Sequence, residues 1–162
     1  MQINAVSHHH SLQLLDIFEE LEHYYFKDQA ASREDITAYL QQQVFSAHSG
    51  VRLIAAFSGT SVVGFASYSV LYPAPKLAGQ MFMKDLFVSA QARGQGVGKK
   101  LMQHLACLAV ELGCKRLDWT AESTNPKAGL FYHGIGAALL AEKEYYRFEG
   151  EALSRFASQA TG

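Results

Sequence analysis

The stretch that most restricts this chain is RGQGVGKK, residues 93–100. Residues 81–88 (MFMKDLFV) before it read as a strand. Residues 97–112 after it place Val97, Leu101, Leu105, Leu108 and Leu112 at helical spacing. A strand, a glycine-rich turn and a helix start together aim backbone N–H groups at an anion. Gly94, Gly96 and Gly98 carry no Cβ, so phosphate oxygens can come close to the main chain there. Arg93, Lys99 and Lys100 add positive charge at the same end. Together these residues make a turn suited to a phosphorylated ligand.

Two better-known phosphate loops are excluded. A Walker A loop, counted back from Gly98 and Lys99, needs glycine where Arg93 stands and a hydroxyl where Lys100 stands. The dinucleotide fingerprint Gly-x-Gly-x-x-Gly fails because Gly98 comes one residue early. A net charge of −1 offers no whole-protein attraction to nucleic acid or to a membrane surface, and neither partner is expected. No apolar run approaches the ~20 residues of a membrane span. The opening MQINAVSHHH lacks the cationic-then-apolar order of a secretory signal, so the expected location is the cytoplasm. Cys107 and Cys114 lie at the end of one expected helix, whose rise sets them roughly 10 Å apart, too far for a disulfide. Both are expected as reduced structural thiols. No metal site is expected, and His8, His9 and His10 are taken as a solvated loop before the first helix.

Taken in order, residues 3–6 form a short strand candidate. Residues 11–26 read as a helix with Leu14, Leu15, Phe18, Leu21 and Tyr25 on one face and Glu19, Glu20, Glu22 and His23 largely on the other. Ser32 can cap a second helix over 33–44. Residues 51–57 and 61–71 are β-rich and flank the hairpin signal Ser58-Gly59-Thr60. Pro73 and Pro75 turn 72–76 into a loop, since proline removes ladder donors, and a strand follows over 80–88. Gly113 ends the long helix and 115–121 reads as another strand. Asn125 and Pro126 open a short helix that continues to His133. Residues 137–141 and 144–148 read as a last pair of strands, before a helix over 151–158. That makes an α/β (α+β) chain of about seven strands, and 162 residues fit one domain over 1–162.

Arg93-x-x-Gly96-x-Gly98 resembles the Arg/Gln-x-x-Gly-x-Gly/Ala pyrophosphate loop of the GNAT superfamily, the acyl-CoA-dependent N-acyltransferases. NPKAGLFY at 125–132, followed by Gly136, resembles that superfamily's second signature, Asn-x-x-Ala-x-x-Phe-Tyr-x-x-x-Gly. GFASY at 64–68, DLFV at 85–88 and RFEGEAL at 147–153 are most similar to the diamine (spermidine/spermine) acetyltransferase branch. The matching order of elements runs from near Ile3 to Phe156. The resemblance implies the GNAT fold, a mixed but mostly antiparallel twisted sheet flanked by helices.

It also implies an enzyme that moves the acetyl group of acetyl-CoA to a primary amine of a small molecule, by direct attack in a ternary complex. A protein N-terminal or lysine acetyltransferase, or a catalytically impaired CoA-binding sensor, stands as the alternative. Leu86, Phe87 and Val88 inherit main-chain contacts with the pantetheine arm, and the Val88 N–H the role of oxyanion donor. Arg93, Gly94, Gln95, Gly96, Val97, Gly98 and Lys99 inherit the pyrophosphate, and Asn125, Pro126, Lys127 and Ala128 the other side of the arm. Tyr132 falls where the family places the phenol that protonates the leaving thiolate, and a phenol with a reference pKa near ~10 is protonated at neutral pH. On the acceptor side Tyr24 matches a substrate-facing tyrosine, Tyr25 replaces an acidic neighbour, Lys84 replaces a glutamate, and Glu144 keeps an acidic position. Strand alternation would set Lys84, Leu86 and Val88 on one face and Asp85 on the other. The expected assembly is a homodimer.

Overall fold

Alternating β-branched and aromatic residues build one sheet in the first part of the chain. In the computed structural model, which describes residues 1–160, the chain divides into two units, Met1–Thr120 and Ala121–Gly162. The first unit holds β1 (Gln2–Val6), β2 (Arg52–Ser58), β3 (Ser61–Ala74), β4 (Ala78–Val88) and β5 (Cys114–Asp118), in that order across the sheet. The first four strands pair antiparallel, while β5 runs parallel to β4. A parallel neighbour requires a crossover, and α3 (Val97–Glu111) supplies it. Between β1 and β2 lie α1 (Ser11–Phe26) and α2 (Arg33–Tyr39), the latter running on into one π turn, Leu40–Val44.

Register divides the sheet into two faces. Ala55, Phe65 and Phe87 stand side by side across β2, β3 and β4. They join Leu14, Leu15 and Ile17 of α1 and Ile36 and Leu40 of α2 in one buried cluster. Gly64, one residue from Phe65 and so on the opposite face, meets α3. A Cβ there would stand 2.9 Å from Val97 Cγ1 and 3.2 Å from Leu101 Cδ1. Glycine at this point lets the first turn of α3 lie directly against β3.

The helix bounds follow the local signals. Ser32 caps α2 by accepting the Asp35 N–H. His8, His9 and His10 form a single 3₁₀ turn instead of a loop, and the Ser7 N–H donates to His10 Nδ1 at 3.1 Å. β3 continues through Pro73 to Ala74. The β3–β4 register breaks between Leu71 and Ala74, so no ladder bond is asked of the proline nitrogen.

The second unit holds α4 (Pro126–Gly134) and α5 (Gly150–Ser158). Among the described residues the sheet has five strands, not about seven, because 137–141 and 144–148 are irregular and carry no ladder. Alternation fits an exposed extended segment as well as a strand, and only a paired edge separates the two. Leu139, Tyr145, Tyr146 and Phe148 are exposed, and Phe148 stacks on Phe156 of α5 at 4.7 Å between ring centroids.

Candidate active site

β5 accompanies β4 only from Gly79 to Phe82. Beyond that point the outer edge of β4 has no strand neighbour among the described residues, over 83–88. Register says what this edge offers. The Ser89 N–H donates to the Val63 carbonyl at 3.0 Å, so the pairs two residues back along the ladder, beginning with Phe65 and Phe87, are the hydrogen-bonded ones. Val88 and Leu86, at the non-bonded positions, turn their N–H and C=O groups outward to the open edge. Of the three residues expected to meet a pantetheine arm through the main chain, Leu86 and Val88 therefore present that main chain. Phe87 spends its own on β3 and contributes a buried ring on the α1 face.

The glycine loop begins where this edge ends. After one 3₁₀ turn, Ala90–Ala92, the chain reaches Gly94 and Gly96 at φ +75° and +78°, the left-handed region that side chains disfavour. Nothing lies within 4 Å of a Cβ placed on either, so the main chain is bare to an approaching oxyanion. Gly96 is the N-cap of α3. The N–H groups of Val97, Gly98 and Lys99 in its first turn have no carbonyl within the helix. Lys99 and Lys100 are exposed beside them. Such an arrangement can receive an anionic group at a helix N-terminus. Arg93 departs from a simple phosphate contact. Its Nε–H donates to the Val88 carbonyl at 3.0 Å, and its guanidinium faces the rings of Tyr24 and Phe87 at 5.4 and 5.7 Å.

Tyr24 reaches this point from the second half of α1. Its ring meets Phe87 edge-on at 6.0 Å and Tyr25 at 5.0 Å, and both tyrosines are more than half exposed. Buried residues hold α1 only as far as Ile17. After that, half-buried Phe18 and Leu21 still pack against the core cluster, and carboxylates add polar ties. Glu19 and Asp16 bind Arg33 of α2, and these hydrogen bonds, to Asp16 first and Glu19 second, raise the Arg33 pKa above its ordinary value. Glu22 accepts the Ala31 N–H at 3.1 Å, and Glu20 accepts the Ala90 N–H at 2.6 Å. Glu20 was missed from sequence. The one signal for it was its place four residues before Tyr24, on the same stripe of the helix.

Lys84 sits in a β-bulge. Tyr68 pairs with Met83 and Ser67 with Asp85, which leaves Lys84 as the extra residue. The bulge breaks the simple alternation expected over 84–88. The Lys84 side chain is 72% exposed, with its ammonium 3.9 Å from Asp85. Asp85 accepts the Ser67 hydroxyl at 2.7 Å, and its pairing sets it two residues from Phe87, on the α1 face.

In the second unit, Asn125 caps α4 by accepting the Ala128 N–H at 3.2 Å, with Pro126 at the first helical position. Lys127 and Ala128 lie in the first turn. Tyr132 is half-buried in the last, its ring 5.2 Å from that of Phe131. Glu144 accepts the Tyr146 hydroxyl, and this bond raises the Tyr146 pKa. Among the described residues no group of three or more His, Cys, Asp or Glu is gathered as for a metal ion.

Comparison with known proteins gives a consistent picture. The model of the acetyltransferase (GNAT) family matches residues 14–142. A thialysine N-epsilon-acetyltransferase of Bos taurus is 34% identical over 104 residues, which cover 62% of this chain and 61% of that protein. The chain thus spans about three-fifths of the length of that relative. A thialysine N-epsilon-acetyltransferase of Caenorhabditis elegans is 26% identical over 162 residues, 98% of each chain. Among solved structures, an integron cassette protein from the mobile metagenome of V. cholerae is 60% identical, with a TM-score of 0.94 over 96% of both chains.

Proposed function

Since the chain belongs to the acetyltransferase (GNAT) family, we propose that it transfers the acetyl group of acetyl-CoA to a primary amine of a small molecule. The observation that carries this reading is the unpaired edge of β4 leading into a bare glycine loop at the start of α3. Leu86 and Val88 would pair with the amide groups of the pantetheine arm as a further strand would. Gly94, Gln95, Gly96, Val97, Gly98 and Lys99 would hold the pyrophosphate. Asn125, Pro126, Lys127 and Ala128 would line the other side of the arm. The acceptor nitrogen bonds to the thioester carbon while the Val88 N–H steadies the charge on the carbonyl oxygen. The C–S bond then breaks, its electron pair stays on sulfur, and the Tyr132 hydroxyl protonates the thiolate. Ordered water takes the proton that the amine gives up.

Tyr24, Tyr25, Lys84 and Glu144 are the acceptor-side residues of this reading. A cationic residue at 84, where the diamine branch carries a glutamate, favours an acceptor with one positive charge and a carboxylate over a polyamine. The relatives named as acting on thialysine, an amino acid with a side-chain amine, agree with that choice. Exposed Leu139, Tyr145, Phe148 and Leu153 offer apolar surface to a second copy, which supports a homodimer. No helix among the described residues is long and apolar enough to cross a membrane. A cytoplasmic location and one catalytic domain over 1–162 belong to the same proposal. The test is thiol release from acetyl-CoA across a panel of polyamines, amino acids and peptide N-termini. Turnover with a small amine is expected. Tight acetyl-CoA binding without turnover on any amine would leave a CoA sensor instead.

A further inference from the structure

We infer that Glu20 is a positioning residue that sets the acceptor half of α1 against the cofactor loop. The inference rests on the reading of the loop as the acetyl-CoA site. Glu20 lies three residues past Ile17, the last buried side chain of α1. From Phe18 to Phe26 no side chain is fully buried: Phe18 stacks on Phe65 and Leu21 packs against the core cluster, while residues 23–26 are exposed. Polar ties add to this packing where it thins out. Those of Asp16, Glu19 and Glu22 run to α2 and to the turn before it. Glu20 alone of these carboxylates reaches across 70 residues of sequence, to the Ala90 N–H at 2.6 Å.

Ala90 opens the 3₁₀ turn between the end of β4 and the glycine loop, and Ala92 is buried at its other end. One helical turn after Glu20, Tyr24 meets the Arg93 guanidinium at 5.4 Å, and Arg93 in turn donates to the Val88 carbonyl. α1 therefore grips the root of the loop at both ends, by a charge-assisted hydrogen bond at Ala90 and by a ring under Arg93. The consequence is a fixed distance between an acceptor resting on Tyr24 and a thioester lying along 86–88. A small misplacement of reacting groups lowers the rate of transfer steeply. The carboxylate also occupies one backbone donor near an anion site, a penalty offset by Arg93, Lys99 and Lys100.

The test compares Glu20→Ala with Glu20→Gln, whose amide oxygen can still accept from Ala90. Glu20 is solvent-accessible on a helix, so alanine leaves the helix intact. Hydrogen exchange of a peptide spanning 88–96 reads the tie without any turnover. The expected result for Glu20→Ala is roughly tenfold faster exchange in that peptide. With it, kcat/KM for the acceptor amine should fall about tenfold while the acetyl-CoA Kd stays within about threefold. Glu20→Gln should recover most of both. Unchanged exchange in Glu20→Ala overturns the inference, and so does faster exchange with undiminished acceptor kinetics. A glutamine variant as impaired as alanine also overturns it, since the charge and not the tie would then be at work. A wild-type protein without turnover on any amine refutes the transferase reading separately, and the exchange result still decides the tie.

Discussion

Gly64→Ala adds a single methyl group at the point where β3 meets the first turn of α3. Its Cβ would stand 2.9 Å from Val97 Cγ1, 3.2 Å from Leu101 Cδ1 and 3.2 Å from the Phe87 carbonyl oxygen. The carbonyl belongs to the β4 backbone and cannot move alone. Val97 is β-branched, sits in a helix and is 3% exposed, so its methyl has no other rotamer to adopt. The helix must shift instead. Overpacking of this kind costs about 1–3 kcal/mol, and alanine in a strand interior recovers about 0.5–1 kcal/mol relative to glycine. The net loss is about 0–2.5 kcal/mol, which lowers Tm by up to about 10 °C in a protein of this size. Because Val97 follows Gly96 directly, the same shift displaces the glycine loop, and acetyl-CoA affinity should fall with stability. Thermal and urea unfolding of Gly64→Ala, Val97→Ala and the double variant form the assay. Removing the Val97 methyls relieves the clash, so the double variant should be more stable than additivity by over about 0.5 kcal/mol. An additive cycle, with no coupling between Gly64→Ala and Val97→Ala, refutes the reasoning.

Gly96→Asp should fold, since nothing lies within 4 Å of its Cβ and aspartate tolerates a φ of +78° better than most residues. It adds a carboxylate where the proposed site would hold a pyrophosphate, so calorimetry should show acetyl-CoA affinity reduced by more than about 100-fold; unchanged affinity would remove the loop from the cofactor site. Tyr132→Phe should lower kcat by about 10²-fold with acetyl-CoA affinity nearly unchanged, and a fully active variant would return Tyr132 to an ordinary helix aromatic. Spermidine should be a poorer acceptor than amino acids with a side-chain amine. Lys84→Glu should move the ratio of their kcat/KM values toward spermidine by about tenfold, a modest change because the side chain is 72% exposed and solvent screens it. Efficient spermidine turnover by the wild type, or a ratio untouched by the substitution, contradicts this.

What could be read from residue order alone was local. Glycines at 94, 96 and 98, cations at 93, 99 and 100 and the helical spacing from Val97 onward identify a strand–turn–helix, because each signal depends only on near neighbours. The caps at Ser32 and Asn125 were legible for the same reason, and both accept the N–H groups expected of them. Tertiary structure decided the rest. The bulge at Lys84 exists only because Tyr68 pairs with Met83 and Ser67 with Asp85, a register no single strand encodes. The open edge of β4 depends on β5 parting from it after Phe82. Residues 137–141 and 144–148 alternate like strands yet pair with nothing among the described residues, since alternation shapes a face but cannot supply a partner edge. The Glu20 tie to Ala90 and the stacking of Arg93 on Tyr24 join residues about 70 positions apart. Contacts at that separation are set by how α1 lies on the sheet, and that placement is fixed by the whole packed core, not by any short run of sequence.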